Sequence, residues 1–94
     1  MDFMVKLFKT VGNNTRIKML EILLGRSRLT ADAFAETLKI PRATACRNLK
    51  ILERMDFVKG QRNHIEVFYS LNRDRRLSYN ETIIELVRKR HAQT

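Results

Sequence analysis

The chain has 94 residues, which suffice for one small domain with a single hydrophobic core and leave little room for a second. Hydrophobic residues make up 44% of it and charged residues 31%, which excludes a disordered basic tail, and no apolar run approaches the roughly 20 residues that span a bilayer. Lys and Arg number 19 against 10 Asp and Glu, and the net charge of +9 indicates an attraction to polyanions.

The N-terminal third of the chain predicts two helices. Residues 3–11 repeat apolar side chains at helical spacing, with lysines on the opposite side. Asn13 is placed to cap a second helix over residues 15–24, and the density of apolar residues there predicts that most of this helix is buried. Gly25 is expected to end it, because glycine is free to adopt a positive φ.

Residues 29–55 have the pattern of a helix-turn-helix: a short helix, a tight turn and a second helix. Thr30 is predicted to cap the first helix and Pro41 to start the second, where its missing N–H costs nothing. Apolar residues recur at spacings of four and three along the second helix and are predicted to face the core: Ala45, Leu49 and Leu52. The other side of that helix is basic, and in a helix-turn-helix that side enters the DNA major groove.

A β-hairpin and a last helix complete the predicted fold. β-Branched and aromatic residues predict the hairpin, or wing, over residues 57–71, with Asn63 and His64 at its tip. Residues 72–92 predict a C-terminal amphipathic helix. The fold class is therefore mainly α with a small β-hairpin, in the order α-α-α-α-β-β-α, as one winged helix-turn-helix domain over residues 1–94.

Two sets of side chains are predicted to contact DNA. On the second motif helix they are Arg42, Thr44, Cys46, Arg47 and Lys50, and on the wing Lys59, Arg62, Asn63 and His64. Arginine can donate two hydrogen bonds to one guanine, whereas lysine and threonine more often hold phosphates. The wing residues are expected to meet the DNA backbone or the minor groove. The alternative for both sets is a merely solvated surface.

Apolar residues near both ends of the chain are candidates for a homodimer interface: Phe3, Leu7, Leu77, Ile84 and Val87. The last helix extends beyond what a small core needs, which favours a surface that a second copy covers. The alternative is that the stripe of Leu77, Ile84 and Val87 caps the core of a single chain.

Cys46 is the single cysteine, so no intrachain disulfide can form; this, with an N-terminus unlike a signal peptide, predicts a cytoplasmic protein. Three interpretations of Cys46 stay open. It is a small residue facing the DNA groove, a redox switch whose oxidation blocks the helix from DNA, or one half of an intersubunit disulfide. The last is disfavoured because the two recognition helices of a dimer lie about 34 Å apart.

The chain resembles the ArsR family of small bacterial and archaeal repressors over nearly its whole length. The resemblance rests on the opening helices, both motif helices and the end of the wing: residues 8–11, 14–20, 34–38, 42–52 and 67–71. It implies a winged helix-turn-helix fold and DNA binding. Asn14 stands where the family usually has proline, and Cys46, Arg47 and Asn48 stand where serine, arginine and histidine are common.

The resemblance does not extend to the metal sites of that family. Its metal sensors often carry a cysteine pair in the first motif helix, where this chain has Thr30 and Asp32. Others use the last helix, where His91 has only Glu81 and Glu85 loosely placed near it in sequence. Since a metal site needs three or four converging ligands, no metal or other cofactor is expected. No catalytic constellation is visible, so no enzymatic activity is expected.

These features predict a homodimeric repressor that binds double-stranded DNA sequence-specifically, with residues 41–55 in the major groove and residues 57–71 as the wing. No membrane partner is expected. An architectural protein that coats DNA without sequence preference is the alternative. A winged-helix protein-interaction module is a third possibility, which the basic outer face of the second motif helix disfavours.

Overall fold

The computed structural model describes residues 2–73 and 78–92, with the backbone alone for residues 78–80. In that part of the chain the elements follow in this order: α1 (Phe3–Val11), α2 (Asn14–Gly25), β1 (Leu29–Thr30), α3 (Ala31–Leu38), α4 (Arg42–Arg54), β2 (Val58–Asn63), β3 (Glu66–Leu71) and α5 (Ser78–Ala92). The predicted class, mainly α with a small β component, is confirmed.

Side-chain caps begin the second and third helices. Asn13 Oδ1 and Thr30 Oγ1 each accept a hydrogen bond from the backbone N–H three residues further on, at 3.0 and 3.2 Å, which confirms both predicted caps. α2 ends at Gly25, but this glycine does not adopt a positive φ. The expectation was wrong because Arg26 is already extended, at φ −132°, and leads directly towards β1.

A left-handed residue makes the tight turn of the helix-turn-helix. Lys39 has φ 57° and ψ 48°, and its N–H donates to the carbonyl of Ala35 at the end of α3. Pro41 is the N-cap of α4, and its carbonyl accepts the N–H of Ala45 at 3.1 Å. The turn therefore fixes the direction in which α4 leaves α3.

The sheet has three antiparallel strands in the order β1-β3-β2, one more than the predicted hairpin. β1 pairs Leu29 with Tyr69 and Thr30 with Phe68. Two residues are too few to show the alternation that reveals a strand, so only the approach of β3 defines β1. This pairing ties the wing to the segment that precedes α3.

The turn of the hairpin lies one residue later than predicted. Asn63 still pairs with Glu66, so the turn residues are His64 and Ile65. The positive φ, 59°, falls on His64 and not on Asn63. The register of the two strands, which pairs Val58 with Leu71 and Asn63 with Glu66, decides which residues reach the tip.

One hydrophobic core joins the helices to the sheet. The three residues predicted to face it from α4, Ala45, Leu49 and Leu52, are fully buried, which confirms the orientation of that helix. Phe34 of α3 and Phe57, just before β2, are also fully buried. The face of α4 opposite this core is therefore free to meet a partner.

Three residues predicted for a dimer interface belong to the core instead: Leu7, Ile84 and Val87. α5 packs on α2, so its apolar stripe covers the core of the single chain, as the alternative interpretation had it. Leu77 lies outside the described residues. Residues 72 and 73 are not helical, so the predicted start of the last helix at residue 72 was wrong, and the described helix α5 spans Ser78–Ala92. Among the described helices, none combines the length and apolarity needed to cross a membrane.

Candidate nucleic-acid interface

The outward face of α4 carries the predicted recognition residues. The side chains of Arg42 and Lys50 are 67% and 60% exposed, and Arg47 is exposed between them. Thr44 and Cys46 are half-buried at the two edges of this face. The five predicted residues are therefore not equivalent, because the cations stand out from the helix while Thr44 and Cys46 lie lower on its flanks.

A groove of about 420 Å³ separates α4 from the wing. Arg42, Cys46 and Lys50 line it from the helix, Arg62 lines it from β2, and Tyr69 of β3 also borders it. The structure thus brings helix and wing residues that were predicted separately to one continuous surface. This groove is the centre of the candidate interface.

The other predicted wing residues lie outside that groove. Asn63 and His64 are exposed at the tip of the wing. Lys59 lies three positions before Arg62, and residues an odd number apart on a strand point to opposite faces. Lys59 therefore borders a separate groove near the end of α2, together with Arg26. The structure does not bring Lys59 together with the α4 residues.

Carboxylates hold two of the cations on the side of α4 that faces the wing. Asp32 Oδ1 lies 2.5 Å from Arg42 Nε, and this hydrogen bond and charge raise the pKa of Arg42. Glu53 Oε1 lies 3.6 Å from Lys50 Nζ. The other oxygen of Glu53 accepts the backbone N–H of Gly60 in β2 at 3.2 Å, so Glu53 links α4 to the wing.

Gly60 lets the wing approach α4 closely. A Cβ atom at this position would lie 3.1 Å from both Glu53 Oε2 and Tyr69 Cε1, tighter than ordinary van der Waals contact. A side chain at this position would therefore require these neighbours to shift by a few tenths of an ångström.

Neutral oxygens hold a cation on the other side of α4. Arg16 of α2 donates from Nε to Thr10 O and from Nη1 to Asn48 Oδ1, both at 2.8 Å, and from Nη2 to Lys9 O at 3.1 Å. Asn48 is 6% exposed and donates from Nδ2 to Thr44 O at 3.0 Å. Burial lowers the pKa of Arg16. Arg16 thereby ties α1, α2 and α4 together.

Sequence reasoning did not find the Arg16–Asn48 contact. One signal was available: Asn48 lies on the same helical face as Ala45, Leu49 and Leu52, and a polar residue on a buried face needs a hydrogen-bonding partner. The identity of that partner was not readable, because Arg16 is 32 residues away in sequence.

Exposed apolar residues gather on α1, with one more on α5: Phe3, Met4, Val5, Phe8 and Leu86. Phe3 was predicted as a dimer residue and is 51% exposed, and Phe8 is 61% exposed. α1 therefore presents apolar side chains outward while Leu7 faces the core. At the tip of the wing Ile65 is 92% exposed.

Within residues 2–73 and 78–92, no group of three or more His, Cys, Asp and Glu side chains is placed to hold a metal ion. His91 Nδ1 lies 3.0 Å from Glu21 Oε2, and Arg90 contacts the other oxygen of Glu21. Glu85 pairs with Arg88 at 3.0 Å. These side chains join α5 to α2 or brace α5 itself.

The chain is similar to known helix-turn-helix proteins in sequence and in structure. A family model for the helix-turn-helix domain matches residues 11–61, from the end of α1 into β2. The chain belongs to this family. The transcriptional repressor SdpR of Bacillus subtilis (strain 168) is 32% identical over 69 residues, which are 73% of this chain and 76% of SdpR.

Solved structures agree with the fold. Reduced HlyU from Vibrio cholerae N16961 has a TM-score of 0.73 at 25% identity, covering 90% of this chain and 84% of HlyU. The homodimeric winged helix-turn-helix DNA-binding domain of Mb0332 from Mycobacterium bovis, a possible ArsR-family transcriptional regulator, has a TM-score of 0.76 at 19% identity, covering 96% of this chain and 79% of that domain. This helix-turn-helix protein is a DNA-binding transcriptional regulator, the role that the resemblance implied.

Proposed function

We propose that this protein is a homodimeric repressor that reads a specific double-stranded DNA sequence. In this proposal α4 lies in the major groove and the β2–β3 hairpin follows the flanking backbone. The observation that carries the proposal is the groove between α4 and the wing, where Arg42, Lys50 and Arg62 line one surface. The repressor SdpR, similar over most of its length, supports the direction of regulation.

Arg47 is the residue proposed to read a base. It stands exposed on the outward face of α4, and none of the ion pairs found among the described residues includes it. An arginine free of other partners can donate two hydrogen bonds to O6 and N7 of one guanine. Lys50 and Thr44 are proposed to contact phosphates, and Arg62, Asn63 and His64 to contact the backbone or the minor groove.

Lys59 and Cys46 take different places in this proposal. Lys59 borders the groove near α2, so it is proposed to contact the DNA backbone beyond the wing, apart from the α4 surface. Cys46 borders the DNA-facing groove as a small side chain. Its redox and disulfide alternatives remain predictions from the sequence.

The experiment is selection of bound fragments from random duplex DNA at about 150 mM salt. A two-fold symmetric motif with half-sites about one helical turn apart is expected. Arg47→Ala should weaken binding by roughly 1–3 kcal/mol and relax the preference at one base pair. Lys89→Ala, on the exposed surface of α5, is the control with the same loss of charge. An unchanged preference in Arg47→Ala would contradict the proposed reading face.

The net charge of +9 gives the architectural alternative its support, since phosphate attraction alone produces binding without sequence preference. The same selection distinguishes the two functions. Tight binding with no enriched sequence would replace the repressor proposal with the architectural one.

The proposed dimer uses the outward side of α1 and the exposed part of α5. We assign the exposed apolar residues Phe3, Phe8 and Leu86 to this interface, in place of the buried Leu7, Ile84 and Val87. The homodimeric Mb0332 domain, which has the same fold, supports a homodimer. Sedimentation of Phe8→Ser should show monomers, with a lower melting temperature because association no longer stabilises the folded state. A Phe8→Ser protein that stays dimeric would exclude this surface.

We also propose that the protein works in the cytoplasm and needs neither a metal nor another cofactor, and that it catalyses no reaction. The single cysteine supports the reducing compartment. Addition of a chelator to the purified protein is expected to leave both its melting temperature and its DNA affinity unchanged.

A further inference from the structure

A second basic cleft lies beside α4, on the side away from the wing. It has a volume of about 360 Å³ and opens between α1 and the last turns of α4. We call it the α1 cleft; its cationic lining residues are Lys6, Lys9, Arg16 and Arg54, and Ile51 and Met55 line it from α4. None of these cations was among the predicted DNA contacts.

The α1 cleft contains no carboxylate. Its lining has four cations and no Asp or Glu, and Lys6, Lys9 and Arg54 form no ion pair with any residue that the structure describes. Four like charges gathered on one surface repel one another unless an anion joins them. The arrangement therefore favours binding of an anion.

Arg16 adds donors to this cleft. Three of the five N–H donors of the Arg16 guanidinium bind neutral oxygens, and the other two have no partner among the described residues. Burial lowers the pKa of Arg16, as expected for a cation that has lost water without gaining a counter-charge. An oxyanion in the cleft would supply both the charge and the acceptors.

The position of the cleft along α4 identifies the anion. Side chains four and seven residues apart lie on one face of a helix. Arg47, Ile51 and Arg54 therefore follow one another along α4, and the last two of them border the α1 cleft. The surface that carries the proposed base-reading arginine thus continues directly into the cleft.

DNA placed over the outward face of α4 would meet cations on both sides of the helix. On one side is the wing with Arg62, and on the other is α1 with Lys6 and Lys9. The two strands of DNA that border a major groove run on either side of a helix inserted in it. The α1 cleft is therefore placed for the strand that the wing does not reach.

We propose that the α1 cleft binds a backbone phosphate of the DNA, on the side of α4 opposite the wing. This proposal rests on the DNA binding proposed above. Lys6, Lys9 and Arg54 contact the phosphate, and Arg16 acts as a positioning residue, because its bond to Asn48 couples the occupied cleft to the placement of α4.

The test is the salt dependence of DNA affinity for the double variant Lys6→Gln/Lys9→Gln. Both side chains are exposed, and the hydrogen bonds described for these two residues involve only their backbone atoms. Each lost phosphate contact lowers the slope of log K against log salt by about 0.9. We expect a slope reduced by about one to two units, about tenfold weaker binding and an unchanged preferred sequence.

The matched control is Lys18→Gln/Lys89→Gln, which removes the same charge from residues that border neither the α1 cleft nor the groove beside the wing. Lys50→Gln is the reference for a phosphate contact of α4. If Lys50→Gln lowers the slope while the α1 variant behaves like the control, the cleft proposal is overturned and the proposed function stands. If the unmodified protein does not bind duplex DNA, both proposals are overturned.

A second test replaces single phosphates of the DNA backbone, one at a time, by a neutral methylphosphonate. One such position should weaken the unmodified protein severalfold and leave Lys6→Gln/Lys9→Gln unaffected, because the contact is already lost. If every neutralised position weakens both proteins equally, the cleft does not hold a DNA phosphate.

Discussion

The two sides of α4 hold their cations in opposite ways. Towards the wing, carboxylates hold them: Asp32 binds Arg42, and Glu53 lies beside Lys50. Towards α1, Arg16 is held by carbonyl and amide oxygens, and the nearby lysines have no acidic partner among the described residues. On the wing side of α4, carboxylates therefore balance the charge of the cations, whereas on the α1 side no carboxylate among the described residues does so.

This difference separates orientation from attraction. A cation paired with a carboxylate must exchange that partner for a phosphate, so it gains little net energy but is held in place beforehand. An unpaired cation brings its whole charge to the DNA. The wing side therefore fixes the geometry of Arg42 and Lys50, and the α1 side supplies the stronger field.

The largest expected effect is a loss of stability when Arg16 loses its hydrogen bond to Asn48 on the α1 side of α4. Asn48→Ala removes the buried acceptor of Arg16 and leaves a partly desolvated cation short of a partner, which should lower the free energy of unfolding by about 2 kcal/mol. Urea denaturation measures it. Asp32→Asn, which breaks an exposed ion pair on the wing side, should leave the urea concentration at the midpoint of unfolding unchanged. Equal losses in both variants would remove the distinction between the two sides.

A smaller effect is expected at the link between α4 and the wing. Glu53→Ala removes the acceptor of the Gly60 N–H, and because this contact is exposed the loss should be about 0.5 kcal/mol. Hydrogen exchange at the Gly60 amide should accelerate, whereas Glu53→Gln, which keeps an acceptor oxygen, should preserve its protection. Unchanged exchange in Glu53→Ala would show that the wing is held by the sheet alone.

The smallest effect concerns DNA affinity. Asp32→Asn frees Arg42 and removes a negative charge from the DNA-facing groove, so affinity should rise by about two- to threefold at low salt. Glu36→Gln is the control, since Glu36 is exposed on the same helix and lies outside that groove. Titration of labelled operator DNA measures both. Weaker binding by Asp32→Asn would mean that holding Arg42 in place matters more than releasing its charge.

The comparison also explains which contacts could be predicted from the sequence. The apolar spacing of Ala45, Leu49 and Leu52 fixed the orientation of α4, so the exposure of Arg42, Arg47 and Lys50 followed from the helical period. The two caps, Asn13 and Thr30, were found because capping acts over three residues. These features depend only on neighbours in the chain.

Contacts between distant segments were missed or misplaced. The apolar stripe of α5 fitted both a dimer interface and a core, and only the docking of α5 on α2 assigned Ile84 and Val87 to the core. The wing tip lies one residue later than predicted because the strand pairing continues to Asn63 and Glu66, which leaves His64 and Ile65 as the turn. Arg16 was not identified as a partner of α4, since nothing local marks a contact 32 residues away.

By itself the sequence determined the helix-turn-helix, its basic outward face and the positive charge that draws it to DNA, because periodicity, capping and net charge are properties of the chain. Only the tertiary structure decided which apolar residues remain exposed, which cations are paired, and that α1 brings lysines beside α4. Those features depend on how the elements pack, and packing is settled by long-range contacts that no local pattern records.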